Sequence, residues 1–98
     1  MKKTLDLYDF RDAFEKSRRT DSFSYEGLAV LFEFLEEEER SLGIENELDV
    51  IGICGDWSEY GSLEEFQKDY SGYESIIEIE RATIVIMVDD ERFIIRQF

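Results

Sequence analysis

The residues most often used for catalysis are scarce in this chain. It has no histidine and a single cysteine, Cys54, so the commonest general base and the usual partner of a nucleophilic serine or cysteine are missing. Cys54 ends the apolar run Leu48–Cys54 in an acidic part of the chain, where the sequence offers neither an activating base nor a positive neighbourhood for a thiol. We therefore expect an inert core cysteine and a protein that is not an enzyme.

Carboxylates are the abundant chemical group, with 25 acids against 11 bases. Two acidic runs are candidates for Ca²⁺ binding: Glu45, Glu47 and Asp49, and Asp89, Asp90 and Glu91. Neither run has the spacing of a calcium-binding loop. The segment Gly52–Gly55 lacks the lysine and the spacing of a phosphate-binding loop. The sequence therefore predicts no metal and no cofactor.

The distribution of charge is the most unusual feature. The formal net charge is −14, and between Thr20 and Gln67 fourteen acids accompany the single base Arg40, which gives −13 for that segment. Charge of this size makes nucleic acid an improbable ligand and makes a basic protein surface the natural complement. We expect no membrane partner. The alternative is that the acids serve solubility alone.

Acidic and aromatic side chains are interleaved in Asp56–Tyr60, a composition typical of protein interfaces. Together with carboxylates of a predicted second helix, this patch could imitate a row of phosphates and close a basic nucleic-acid channel. In the alternative, Trp57 and Tyr60 are residues of the core edge. The predicted partner-binding residues are Glu26, Glu33, Glu36, Glu37, Asp56, Trp57, Glu59, Tyr60, Glu64 and Glu65.

Two amphipathic helices are predicted to precede this patch. The first is expected over Leu7–Arg19 with Asp6 as its N-cap, and the second over Tyr25–Leu42 with Ser24 as its N-cap and Gly43 after its last residue. The core stripe of the second helix is predicted to be Leu28, Leu31, Phe32, Leu35 and Leu42. Glu39 projects onto this stripe, so we expect the last turns to overhang the core in solvent or to frame a site for a cationic partner.

The second half of the chain predicts one strand, a short helix and a hairpin. Leu48–Cys54 is apolar on both faces, which is typical of a central strand, and Ser62 is predicted to cap a helix over Leu63–Tyr70. Tyr73–Arg81 fits either a helical turn, which we favour, or a strand. Thr83–Val88 and Arg92–Phe98 predict a C-terminal hairpin.

These elements predict one compact α+β domain over residues 1–98, with helices packed on a small, mainly antiparallel three-stranded sheet. No run of residues reaches the roughly 18–20 apolar positions that a membrane span requires. The first residues are too acidic for a signal peptide. We therefore expect the protein to act in the cytoplasm where it is made.

Several stretches resemble small acidic proteins encoded by phages and mobile elements. They are Phe23–Leu28, Glu47–Ile51, Glu59–Tyr60, Ser62–Phe66 with Asp69–Tyr70, and the terminal Phe93–Phe98. The resemblance implies a role similar to that of host-defence inhibitors of the anti-CRISPR or DNA-mimic antirestriction type. In a phage-encoded protein, the site of action would be the host cytoplasm. No site residue can be carried over from such proteins, because their activity has no motif in this chain.

The main functional hypothesis is therefore a non-enzymatic inhibitor that binds a CRISPR effector or restriction nuclease through an acidic, nucleic-acid-mimicking surface. A second hypothesis is a small acidic interaction module, or a homodimeric accessory protein, with no role in defence. A third is a small metal-dependent enzyme, which would have to bind a divalent cation.

Overall fold

The computed structural model describes residues 6–19, 22–43 and 48–98. Within these ranges the chain forms five helices and one three-stranded antiparallel sheet, so the predicted α+β class is confirmed. The linker Ile44–Glu47 lies outside the described residues, as do the candidate Ca²⁺ ligands Glu45 and Glu47. The elements are α1 (Leu7–Lys16), α2 (Tyr25–Leu42), α3 (Val50–Asp56), β1 (Trp57–Tyr60), α4 (Leu63–Asp69), α5 (Ile76–Ala82), β2 (Val85–Met87) and β3 (Phe93–Arg96).

The sheet lies between two layers of helices. Its strand order is β1-β3-β2, with β3 in the centre and pairing antiparallel with both neighbours. Successive side chains of a strand point to opposite faces, and the fully buried Ile94 packs with residues of α1, α2 and α3. Phe93 and Ile95 pack instead with residues of α4 and α5. The chain therefore has two small cores, one on each face of the sheet.

The local capping signals in the sequence are borne out at several helix ends. The Asp6 side chain accepts a hydrogen bond from Asp9 N, and the Asp9 side chain accepts one from Asp6 N, which completes a capping box. Ser24 caps α2 and Ser62 caps α4 in the predicted way. Gly43 ends α2 in the left-handed conformation with φ of 67°.

The prediction of a central strand over Leu48–Cys54 is wrong. Asp49 instead caps a helix over Val50–Asp56, where its side chain accepts a hydrogen bond of 3.0 Å from Gly52 N. The strand begins only at Trp57 and lies at an edge of the sheet, while the centre belongs to β3. A short run with apolar residues on both faces is compatible with a strand or with a buried helix. The capping residue Asp49 is therefore the more informative signal.

The prediction that the end of α2 overhangs the core is wrong for Glu39, which is only 7% exposed. The Glu39 side chain lies on the same face of α2 as the leucines, and it is therefore directed into the interior. Leu42, placed in the core by the same periodicity, is 64% exposed because it lies in the last turn of the helix. The helical interpretation of Tyr73–Arg81 is confirmed by α5.

Candidate functional site

The two aromatic members of the predicted partner-binding set are core residues. Trp57 is 5% exposed and belongs to the core on the α2 face, and Tyr60 is 8% exposed and belongs to the core on the α4 face. The Trp57 ring meets Phe34 edge-on at 5.4 Å between centroids. This burial agrees with the alternative that both are residues of the core edge. Trp57 and Tyr60 are three positions apart in β1, so their side chains point to opposite faces of the sheet. Helices cover both faces, and both side chains are therefore buried.

Tyr60 keeps its polar end satisfied inside the fold. Its hydroxyl donates a hydrogen bond of 3.1 Å to the Asp69 carboxylate, which comes from the end of α4. Burial, and after it this bond to Asp69, raises the pKa of Tyr60 to about 12. The contact fixes α4 against β1 and holds the Asp69 carboxylate beside the strand.

The Glu59 side chain accepts hydrogen bonds at the start of α2. Its Oε1 accepts hydrogen bonds from Ser24 N at 3.0 Å and from Ser24 Oγ at 3.1 Å, across 35 positions of sequence. In a local capping box, the third residue of the helix supplies this carboxylate. That residue is Gly27, and a side chain there would overlap the Glu59 carboxylate. Glu59 therefore completes the cap of α2 from β1.

Glu26 also has a partner within the fold. Its Oε1 lies 3.1 Å from an Nη atom of Arg92, and the Nε atom of Arg92 donates to Asp89 at 2.7 Å. Asp89 in addition accepts backbone hydrogen bonds from Glu91 and Arg92. These bonds, the backbone ones first, lower the pKa of Asp89 to about 2. Glu26 thus ties α2 to the turn of the hairpin.

Three further carboxylates of α2, those of Glu33, Glu36 and Glu37, line one open groove, which we call the α2 groove. Glu33 and Glu37 are exposed on it, Glu36 is half-buried, and Arg40 pairs with Glu37 at 3.0 Å. The groove is lined by Asp6, Phe32, Glu33, Phe34, Glu36, Glu37 and Arg40. Its lining therefore combines two half-buried phenylalanines, which we call its floor, with four carboxylates and one arginine.

A second groove, which we call the β2 groove, lies between the start of α4, the start of α5 and the hairpin. It is lined by Ser62, Leu63, Glu64, Ile76, Met87, Asp90 and Glu91. Glu64, Asp90 and Glu91 are exposed at its rim. Of these three only Glu64 belongs to the predicted partner-binding set, and the sequence singles out Asp90 and Glu91 only as candidate Ca²⁺ ligands. The hairpin that brings these two beside Glu64 is a long-range contact.

Glu65 and Asp56 lie apart from both grooves. Glu65 lines a shallow depression at β1 together with Glu59 and Asp69. Asp56 is exposed at the end of α3, where its carbonyl accepts a hydrogen bond of 2.7 Å from Gln97 N. The structure therefore distributes the predicted set over separate sites. Glu33, Glu36 and Glu37 line the α2 groove, and Trp57, Glu59, Tyr60 and Glu65 line the depression at β1.

Cys54 is half-buried and packs against the core on the α2 face. Within residues 6–19, 22–43 and 48–98, no group of three or more cysteine, aspartate and glutamate side chains is arranged to hold a metal ion. None of the helices in the same ranges combines the length and the apolar character that crossing a bilayer requires.

No family model, curated protein or solved structure matches this chain. The resemblance to small acidic phage proteins is thus an expectation that comes from the residues alone. The site has to be interpreted from its own geometry.

Proposed function

We propose that the chain is a non-enzymatic inhibitor that binds a basic, nucleic-acid-binding surface of a host defence protein, either a CRISPR effector or a restriction nuclease. The observation that carries the proposal is the α2 groove. It places the carboxylates of Glu33, Glu36 and Glu37 beside that of Asp6, over Phe32 and Phe34. The protein acts in the host cytoplasm and makes no direct contact with nucleic acid.

The chemistry of the groove suits arginine and lysine side chains. Their aliphatic stems can lie on the phenylalanine floor while their charged ends meet the carboxylates. The net charge of −14 adds long-range attraction, which speeds the encounter with a basic surface. A defence protein whose basic channel is filled in this way cannot bind its nucleic acid.

The test is a plaque assay on host strains that each carry one CRISPR or restriction system, with and without expression of the chain. We expect the chain to restore phage growth in at least one strain. The double variant Glu33→Lys with Glu37→Lys should abolish the rescue, because it reverses the charge of the groove without touching the core.

The matched control is Glu74→Lys with Glu80→Lys, which changes the net charge equally at two exposed positions on or before α5. It should keep the rescue. Failure of the chain to protect phage in any strain would refute the inhibitor. Equal loss of rescue in both double variants would show that overall charge, and not the α2 groove, is responsible.

A further inference from the structure

The outer edge of β2 presents backbone groups that bond to no other strand in the described part of the chain. The hydrogen bond of 2.9 Å from Val88 N to Arg92 O shows which side of the strand faces β3. Hydrogen-bonded pairs alternate along an antiparallel ladder, so the N–H and C=O groups of Val85 and Met87 point away from β3. Such an edge is a template for one more strand.

The β2 groove adjoins this edge through Met87, whose side chain is 43% exposed and lines the groove. Leu63 and Ile76 complete an apolar floor, and Glu64, Asp90 and Glu91 form an anionic rim. Asp90 and Glu91 take no part in the side-chain bonds that shape the hairpin turn, which Asp89 and Arg92 make. Their charges are therefore available to a ligand.

Charge decides what can occupy this surface. A second copy of the chain would bring another −14 and a second acidic rim to the same edge, and like charges placed opposite each other are repelled. An uncharged strand would desolvate the rim without compensating its charge. A strand that carries lysine or arginine suits both the floor and the rim of the β2 groove. The aliphatic stem of the side chain packs on the floor, and its cationic end pairs with the carboxylates of the rim.

We propose that the edge of β2 and the β2 groove together bind one extended, lysine- or arginine-bearing segment of a partner protein. The segment adds to the sheet as a fourth strand through the backbone groups of Val85 and Met87. One of its cationic side chains lies across Met87 toward Glu64, Asp90 and Glu91. This surface is separate from the α2 groove and gives the protein a second contact.

The test is a titration of the isotope-labelled full chain with a short synthetic peptide that alternates threonine and arginine, followed by NMR. We expect saturable shifts of the Val85 and Met87 amide signals and slower exchange of these amides with solvent. The same peptide with its strand-pairing nitrogens methylated should bind about tenfold more weakly, a difference of about 1.4 kcal/mol. Equal affinity of the methylated peptide would overturn strand addition.

Two double variants separate this surface from the α2 groove. Asp90→Lys with Glu91→Lys should weaken binding of the peptide about tenfold. Glu33→Lys with Glu37→Lys, which changes the net charge equally, should leave the Val85 and Met87 shifts in place. Met87→Pro removes one outward donor, together with the Met87 side chain of the groove floor, at an edge position that tolerates proline, and it should also weaken binding. Shifts confined to α2, or equal weakening by both charge variants, would refute the proposal while leaving the proposed function to its own assay.

Discussion

At the scale of single residues, carboxylates that look alike in the sequence have different tasks in the fold. Glu59 accepts two hydrogen bonds from Ser24 at the start of α2, whereas Glu33 is exposed at the α2 groove. The sequence could show that acids are plentiful, but no local pattern reveals a bond that spans 35 positions. Charge reversal at Glu59 would therefore disturb the helix cap and is a poor test of binding.

The contact between Gly27 and Glu59 yields a prediction about stability. Gly27→Ala should destabilise the protein by about 1 kcal/mol, because the new methyl group displaces the Glu59 carboxylate and the loss of its hydrogen bonds outweighs the better helix propensity of alanine. In a Glu59→Ala background the same substitution should cost less, because only the 2.9 Å contact of the new methyl group with Ser24 Oγ remains. Urea unfolding of the four proteins in this double-mutant cycle measures the coupling. If the effects of the two substitutions on the free energy of unfolding were additive, Gly27 and Glu59 would not be coupled at this cap.

At the scale of elements, the helices with a local start signal were the predictable ones. Asp6, Ser24 and Ser62 cap helices close to the expected positions. The run before Trp57 was misassigned because its β-branched residues favour a strand locally, while the cap at Asp49 and the pairing of β1 with β3 decide the outcome. Strand pairing is a non-local choice, so the extent of β1 could not be predicted from its own residues.

The chain leaves α1 through a left-handed backbone conformation at Arg18, a residue type that rarely adopts it. Arg18 N donates to Glu15 O at 3.0 Å and Arg19 N donates to Phe14 O at 2.8 Å, which is the hydrogen-bond pattern of a Schellman motif. Arg18 occupies its left-handed position with φ of 57°, where glycine is the usual residue.

We expect Arg18→Gly to be more stable than Arg18→Ala by about 1 kcal/mol, because both remove the same charge but only glycine adopts this conformation without steric cost. Thermal and urea unfolding of the two variants compare them directly. If Arg18→Ala were the more stable, helix propensity and not the left-handed position would govern this end of α1.

At the scale of the whole molecule, the two grooves are the product of the fold and not of any one segment. The α2 groove joins the cap of α1 to the middle of α2, and the β2 groove joins α4, α5 and the hairpin. The sequence could predict that the surface is acidic and that the domain is α+β. The positions at which carboxylates meet an apolar floor depend on packing between distant elements.

The net charge of −14 predicts opposite effects of salt on folding and on binding. Salt screens exposed charges over about 8–10 Å at 0.1–0.15 M, so it weakens the repulsion among the acids and should raise the free energy of unfolding. The same screening should weaken the attraction between either groove and a cationic partner. Urea unfolding across a sodium chloride series measures the first effect, and titration with the threonine–arginine peptide in the same buffers measures the second. If the first measurement shows that the fold becomes more stable as salt rises, loss of binding at high salt cannot be ascribed to unfolding. A peptide affinity that stays constant across the series would show that contacts other than charge hold the partner.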